Sequence, residues 1–141
     1  MNPGNPFGHP KARSAVVLLD GENVCLIERN RRGRIYYLFP GGGVEADETH
    51  EQAAIREAKE ELGLDVELGR IVVDLVHNGA RQVFYLARIV GGEFGTGTGP
   101  EMDSDAGSIR GSYTPLWLPL NVAAKRDTRP LELVAALLDA E

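Results

Sequence analysis

Residues 42–64 read GGVEADETHEQAAIREAKEELGL. This stretch specifies one helix and carries most of the net negative charge of the 141-residue chain. Between residues 45 and 61 it contains seven carboxylates and two basic side chains. The carboxylates are Glu45, Asp47, Glu48, Glu51, Glu57, Glu60 and Glu61. The whole chain has a formal net charge of -6, so nearly all of the excess negative charge lies in one segment.

Local signals define both ends of a helix over residues 49–62. Thr49 followed by Gln52 forms a capping box, in which each side chain satisfies a backbone N–H group of the other residue. Alanines fill the interior, and Gly63 suits the left-handed position that ends a helix. The apolar residues that we expect to pack on a sheet are Ala54, Ile55, Ala58 and Leu62.

The acidic face of this helix needs a counter-charge. A helix advances by about 100° per residue, so Glu57, Glu60 and Glu61 share an arc of about 100°, and Arg56 and Lys59 lie off it. Two like charges about 5.5 Å apart repel by about 3 kcal/mol at an effective dielectric of 20. An all-oxygen site favours Mg²⁺ or Mn²⁺ over zinc. On spacing alone, an ordinary solvated Glu-rich helix explains the pattern equally well.

The rest of the chain predicts a mixed sheet with helices packed on it. Strands are indicated over residues 13–20, 23–29, 35–39, 66–77, 81–90 and 113–118. Asp20-Gly21 and Asn78-Gly79 are hairpin signals, since both positions of each pair tolerate positive φ. Pro40 and the glycines at 41–43 are expected to end the third strand. The order predicts an α/β/α sandwich with a mixed sheet rather than a doubly wound parallel sheet.

The C-terminal part contains a glycine-rich segment and a last helix. Residues 91–111, GGEFGTGTGPEMDSDAGSIRG, are typical of a mobile loop. After Pro130, an amphipathic helix is indicated by Leu131, Val134, Ala135 and Leu138. The expected organisation is a flexible N-terminal tail over residues 1–12 and a single domain over residues 13–141.

Composition narrows the class of protein. Apolar residues make up 43% and charged residues 26%, as in soluble globular proteins, and no apolar run reaches the roughly 18 to 20 residues that span a membrane. The N-terminus lacks an apolar signal region, which indicates the cytoplasm. Cys25 is the only cysteine, so an internal disulfide is excluded and a buried side chain is expected. The pI near 5.1 argues against a duplex nucleic acid partner.

The acidic stretch also matches a known motif. Gly42, Glu48 and the run REAKEELGL at residues 56–64 occupy every specified position of the Nudix box, G-x5-E-x7-R-E-U-x-E-E-x-G-U. The chain therefore resembles the Nudix hydrolases, a family related to MutT, over nearly its whole length. The resemblance implies a Nudix-type fold and metal-dependent hydrolysis of a pyrophosphate bond, in a nucleoside diphosphate linked to another group.

The resemblance also implies roles for particular residues. The metal ligands would be Glu57, Glu60, Glu61 and the carbonyl of Gly41. Arg56 would orient a carboxylate rather than touch the substrate, and Glu48 would brace the loop or hold metal through water. The predicted catalytic set is therefore the three glutamates and Arg56, together with a general base.

The base and the substrate contacts are less well specified. In many Nudix enzymes the later loop supplies a base, which makes Glu101 the first candidate here, with Asp103 and Asp105 as alternatives. Arg29 ends a strand that borders the substrate cleft in Nudix folds and is the expected phosphate contact. The nearby Arg31, Arg32 and Arg34 are expected to form a solvated turn.

The expected substrate is a small nucleotide derivative, without a membrane partner. Two other functions remain as alternatives: a nucleotide-binding Nudix-like module without turnover, and an RNA-end pyrophosphohydrolase. The complete set of box glutamates argues against the first, and the acidic net charge argues against the second. A homodimer remains open as an assembly.

Overall fold

The computed structural model describes residues 11–99 and 110–140. Its elements are β1 Arg13–Asp20, β2 Asn23–Arg31, β3 Arg34–Leu38, β4 Gly41–Gly43, α1 His50–Leu62, β5 Leu64–His77, β6 Ala80–Gly92, β7 Ser112–Pro119, α2 Leu120–Ala123, β8 Thr128–Arg129 and α3 Leu131–Asp139. The fold is α/β, a curled mixed sheet with helices packed on it, as the sequence predicts. The division into a tail over residues 1–12 and a domain over residues 13–141 stays a prediction.

Strand β1 organises the sheet. The strand order is β5-β6-β1-β2-β3-β8, with β4 paired to β1 and β7 paired to β2. Strand β1 pairs with β2 beside their turn, at Leu19–Val24 and Asp20–Asn23. Along the rest of its length it pairs in parallel with β6 and in antiparallel with β4. The two strands of the first hairpin therefore separate, and the sheet curls around that point.

Two apolar cores lie on opposite sides of the central strands. Because successive side chains of a strand point to opposite faces, Val17 enters one core and Val16 the other. The first core also contains Val24, Leu26, Phe39, Phe84, Leu133, Val134 and Leu137. The second contains Leu18, Cys25, Ile27, Ala54, Ala58, Leu62 and Val83. The burial of Cys25 confirms the prediction for the single cysteine.

Helix α1 begins and ends as its sequence predicts. Thr49 Oγ1 accepts a hydrogen bond from Gln52 N at 3.1 Å, and Thr49 N donates to Gln52 Oε1 at 2.9 Å. Gly63 is left-handed, with φ of 78°. The predicted apolar face is wrong at Ile55, which is 43% exposed. The buried face is rotated toward the acidic side and consists of Ala53, Ala54, Glu57, Ala58, Glu61 and Leu62.

The predicted face of α3 is right at Val134 and wrong at its other three positions. Leu133, Val134 and Leu137 are buried, whereas Leu131 is 68% exposed and Leu138 is 39% exposed. Ala135 is exposed as well. Apolar residues occupy nearly every position of this helix, so hydropathy alone leaves its orientation undetermined. The neighbours β5, β8 and α2 set the orientation.

Short elements and turns differ from the prediction in detail. Strand β3 ends at Leu38, before Pro40, as predicted, but the glycines at 41–43 also form strand β4 against β1. Asp20 pairs with Asn23, so Gly21, with φ of 61°, and Glu22 form the turn instead of Asp20-Gly21. The second hairpin turns at Asn78 and Gly79, with φ of 51° and 82°, as predicted. Among the helices that the structure describes, none is long and apolar enough to cross a membrane.

Candidate active site

Two carboxylates of α1 face the protein interior. Glu57 is 6% exposed and Glu61 is 5% exposed. Glu61 Oε1 accepts a hydrogen bond from Gly41 N at 2.8 Å. A Cβ atom on Gly42 would collide with the carboxylate of Glu57 and displace it, whereas a Cβ atom on Gly41 would collide with the backbone of β1 at Ser14 and Ala15, where only glycine fits. The glycine strand β4 is thus a backbone cradle for both acids.

These acids border a cavity of about 180 Å³. It is lined by Arg13, Ile27, Arg29, Leu38, Phe39, Gly41, Gly42, Gly43, Glu57, Glu61 and Tyr113. Three of the predicted site residues, Gly41, Glu57 and Glu61, therefore lie together at one opening with Arg29. Burying two carboxylates side by side is costly unless each is compensated.

Arg56 supplies part of that compensation. Its Nη1 lies 3.1 Å from Glu57 Oε2 and 3.3 Å from Glu60 Oε2. Its Nε lies 2.7 Å from Glu48 Oε2, and its Nη2 donates to the Gly43 carbonyl at 2.9 Å. The expectation that no neighbouring cation serves the acidic arc is therefore wrong. The long arginine side chain reaches across from the adjacent helical position.

Hydrogen bonding within this network shifts the pKa values of two groups. The bond from Arg56 is the main cause that lowers the pKa of Glu48. The same bond is the main cause that raises the pKa of Arg56. Glu48 also accepts a hydrogen bond from Glu45 N at 3.1 Å. Both side chains are thus fixed in their charged forms, and they tie the loop before α1 to the helix.

Glu60 is placed differently from the other two glutamates. Its side chain is 34% exposed and is oriented toward Arg56. Within residues 11–99 and 110–140, no group of three His, Cys, Asp or Glu side chains is arranged around a common point for a metal ion. The donors at the cavity are nevertheless all oxygen atoms, and the glycine cradle keeps Glu57 and Glu61 beside the opening. This chemistry fits a hard divalent cation.

Arg29 is held rigidly at the same cavity. Its side chain donates to the carbonyls of Ser112, at 3.3 Å from Nε, and of Arg110. The guanidinium carbon lies 3.7 Å from the ring centroid of Tyr113 and 5.6 Å from that of Tyr36. Cation–π contacts of this kind orient the planar group. The arginine is therefore pre-positioned beside the acids. Tyr113 belongs to no motif, so its contact with Arg29 was not predicted.

A larger cavity of about 490 Å³ adjoins the acidic one. The two share Arg13, Leu38 and Phe39. The larger cavity is also lined by Tyr36, Leu75, His77, Gln82, Phe84, Arg129, Pro130, Leu131 and Glu132. Its walls combine aromatic and aliphatic surface with a few polar groups, as in sites for small organic ligands. The sequence analysis did not identify Arg13 or Arg129, because neither belongs to a motif.

The described part of the glycine-rich segment is attached to the end of α1. Gly95 N donates to the Leu62 carbonyl at 3.0 Å, and Gly99 N donates to the Glu60 carbonyl at 2.9 Å. A Cβ atom on Gly97 would lie 2.5 Å from the Glu60 carbonyl oxygen. Residues 93–99 of the segment predicted to be a mobile loop are thus bound to the acidic helix. Glu101, Asp103 and Asp105 lie outside the described residues.

Comparisons with known proteins identify similar sequences and structures. The profile of the NUDIX domain matches residues 8–136. One relative, from Mycobacterium tuberculosis, carries the name mutator protein MutT4. It is 35% identical over 130 residues, which cover 85% of this chain and 50% of that protein. An RNA pyrophosphohydrolase of Marinomonas sp. is 45% identical over 49 residues, covering 35% of this chain and 30% of that protein. This chain therefore spans half or less of the length of both relatives.

A solved structure covers nearly the whole fold. The crystal structure of an ADP-ribose pyrophosphatase from Streptococcus suis superposes with a TM-score of 0.66 at 25% sequence identity. The match covers 93% of this chain and 91% of that chain. The strands and helices described above therefore form a fold that this solved structure shares.

Proposed function

Because this chain belongs to the Nudix family, we propose that it hydrolyses the pyrophosphate bond of a nucleoside diphosphate linked to another group. The observation that carries the proposal is the pair of buried glutamates, Glu57 and Glu61, at an opening shared with Arg29. An acidic pocket repels an anionic substrate unless a cation is present, so the buried acids support a metal-dependent reaction. Activity, substrate and metal all belong to this proposal.

The proposed cation is Mg²⁺ or Mn²⁺. Glu57, Glu60, Glu61 and the carbonyl of Gly41 would hold it. Glu57 and Glu61 lie at the cavity, and Glu60 would complete the set by leaving its contact with Arg56. A divalent cation, when bound, neutralises phosphate charge and lowers the pKa of a bound water molecule.

The other residues of the site would position groups or move a proton. Arg56 keeps Glu57 and Glu48 in fixed orientations and is a positioning residue in this scheme. Arg29, held by Tyr113 and two carbonyls, would bind a phosphate oxygen of the substrate. Glu101 remains the first candidate for the base that accepts the proton of the attacking water, with Asp103 and Asp105 as alternatives.

The larger cavity would hold the nucleoside part of the substrate. Its volume of about 490 Å³ falls within the range of small-molecule sites. Tyr36, Phe39 and Phe84 provide aromatic surface, while Gln82 and Glu132 provide hydrogen-bonding groups. Since this cavity adjoins the acidic one, a single nucleotide derivative would reach both.

A panel of substrates tests the proposal. Purified protein is incubated with ADP-ribose, a nucleotide sugar, nucleoside triphosphates and a 5′-triphosphorylated RNA, with Mg²⁺, with Mn²⁺ or with excess chelator. We expect cleavage of at least one small nucleotide into phosphate-containing products, separated by ion-exchange chromatography, and none with chelator. Cleavage of RNA alone would favour the RNA-end alternative. Specific nucleotide binding without any cleavage would favour the module without turnover.

A further inference from the structure

The turn between β2 and β3 is unusually basic. Arg32 and Gly33 form its centre, with φ of 54° and 86°, and Gly33 N donates to Asn30 Oδ1 at 3.0 Å. An arginine in the left-handed region costs about 1 kcal/mol, and asparagine, aspartate or glycine is usual at this place. The turn geometry therefore gives no reason for arginine at residue 32.

The flanking pair of arginines is equally unfavourable for stability. Arg31 and Arg34 are directly opposite each other in the antiparallel register of β2 and β3. Like charges in that position destabilise a sheet. Within residues 11–99 and 110–140, Arg31, Arg32 and Arg34 form no ion pair. Among the described residues, no carboxylate is thus in direct contact with these three exposed guanidinium groups.

A fourth arginine completes this group. Arg129 of β8 stacks on Tyr36, with 4.2 Å from its guanidinium carbon to the ring centroid. It also forms an ion pair with Asp127 at 2.9 Å. Hydrogen bonding to Arg129 is the main cause that lowers the pKa of Asp127, and the charge of Arg34 contributes. In the described part of the chain, Asp127 is therefore the one carboxylate in ionic contact with this group of four arginines, and the group carries a net positive charge.

These arginines line a cavity that continues the proposed substrate site. The arginine cavity, of about 400 Å³, is lined by Arg31, Arg32, Arg34, Tyr36 and Arg129. It shares Tyr36 and Arg129 with the larger cavity, which in turn shares Leu38 with the acidic one. Arg34, Tyr36 and Leu38 alternate along one face of β3, about 6.6 Å apart at each step. The three cavities therefore follow one strand in the order basic, aromatic, acidic.

We propose that the arginine cavity binds a second anionic group of the substrate, at the end remote from the scissile pyrophosphate. This inference rests on the proposed function and narrows its substrate class. A molecule whose pyrophosphate lies at Glu57 and whose nucleoside lies on Tyr36 presents its far end to Arg31 and Arg34. Guanidinium forks bind phosphate oxygens in pairs. The substrate is thus a small nucleotide with an additional phosphate ester on its ribose.

A long nucleic acid fits this surface less well than a small molecule. Binding of a polynucleotide requires a basic track along several nucleotides. The positive patch consists of one turn and one residue of β8, and the chain as a whole has a net charge of -6. A single additional phosphate matches the size and charge of the cavity.

Equilibrium binding tests the inference without requiring turnover. The wild-type protein is titrated calorimetrically with AMP, adenosine 2′,5′-bisphosphate and adenosine 3′,5′-bisphosphate in chelator. We expect at least one bisphosphate to bind about tenfold more tightly than AMP, and the advantage to shrink in high salt because the contact is exposed. The double variant Arg31→Gln, Arg34→Gln should bind that bisphosphate and AMP with nearly equal affinity.

A matched double variant controls for net charge. Arg70 and Arg88 are exposed and line none of the three cavities in the described chain. Arg70→Gln, Arg88→Gln removes the same charge and should keep the tenfold advantage. Equal wild-type affinity for AMP and both bisphosphates, or an equal loss in both double variants, would overturn the inference. The 5′-phosphorylated dinucleotide pApA is titrated as a further ligand. If pApA binds more tightly than AMP and neither bisphosphate does, the inference is also overturned, because that result indicates an RNA chain.

Turnover separates this inference from the proposed function. The ratio of kcat/KM for 2′-phospho-ADP-ribose over that for ADP-ribose should be about ten in the wild type and near one in Arg31→Gln, Arg34→Gln. A wild-type ratio near one with active hydrolysis would overturn the inference alone. If the wild-type protein hydrolyses none of the substrates but still binds a bisphosphate more tightly than AMP, the proposed function alone is overturned.

Discussion

Helices α1 and α3 pack on the same curled sheet, but their buried faces have opposite chemistry. Helix α3 buries three aliphatic side chains, Leu133, Val134 and Leu137. Helix α1 buries small apolar residues together with Glu57 and Glu61. Apolar burial stabilises a fold without further conditions, whereas buried carboxylates require compensation from backbone and arginine donors. The contrast indicates that α3 contributes mainly stability and that α1 gives up stability for a functional surface.

Removing charge from α1 should give the largest effect, and on rate rather than on folding. We expect Glu57→Gln and Glu61→Gln each to lower kcat by about 10² or more, since loss of transition-state charge stabilisation costs several kcal/mol. Glu60→Gln should behave similarly if Glu60 joins the metal site. The measurement is steady-state hydrolysis of the best substrate of the panel, with thermal unfolding in parallel. Glu51→Gln, an exposed change on the same helix, is the control. Near-normal rates in the first two variants would break the contrast.

Truncating a buried side chain of α3 should lower stability and leave the rate of turnover nearly unchanged. Leu133 is fully buried, so Leu133→Ala is expected to lower the free energy of unfolding by about 2–5 kcal/mol. Turnover per folded molecule should remain near the wild-type value. Leu138→Ala, on the exposed side, is the control and should cost far less. Denaturant unfolding monitored by circular dichroism provides the measurement, and similar losses in both variants would contradict the assigned face.

The pH dependence of the free energy of unfolding tests how the core beneath α1 excludes charge at Cys25. Burial, with a contribution from the charge of Glu61, raises the pKa of the Cys25 thiol from 9.0 to about 12. Because the pKa of the thiol is higher in the folded state, the protonated thiol contributes its full share to the free energy of unfolding below pH 9. That contribution is lost as the pH rises toward 12. The stability difference between wild type and Cys25→Val should therefore change by about 1.4 kcal/mol per pH unit above pH 9. Urea unfolding at pH 8, 9 and 10 would measure it, and a constant difference would refute it.

The cap of α1 should give the smallest effect. Thr49→Ala removes the hydrogen bond to Gln52 N and should cost about 1 kcal/mol of stability. Thr49→Ser retains the oxygen and is the matched control. Because Thr49 lies at the opposite end of the helix from Glu61, kcat should change little. A large loss of turnover with Thr49→Ala would show that the helix start also positions the site.

Local signals predicted both ends of α1 and one of the two hairpin turns, but at Asp20-Gly21 the same kind of signal placed the turn one residue too early. The capping box, Gly63 and the Asn78-Gly79 turn were all predicted, because each specifies backbone geometry by itself. The fold class also followed, since the motif and the alternation of strands and helices agree. These features depend on sequence neighbours, and tertiary contacts do not override them here.

Features that depend on distant partners were not predictable in the same way. Strands β4 and β8 are three and two residues long and exist through pairing with β1 and β3. The structure brings Gly41, Glu57 and Glu61 together at one cavity, whereas Glu60 is oriented toward Arg56. Their roles stay predictions, because residue spacing along a helix does not show which side chains face the cavity. The roles of Gly41, Arg29 and Glu101 remain proposals.

The central position of β1 has a consequence for the way the chain is made. The parallel partner of β1, strand β6, follows it about 70 residues later in the chain. At 5–20 residues per second, a ribosome needs on the order of 4–14 s to produce that interval. During this time β1 can pair with β2 and β4, but it lacks its parallel partner. Until β6 is made, one edge of β1 has no partner strand, and we expect pauses in synthesis within this interval to raise aggregation.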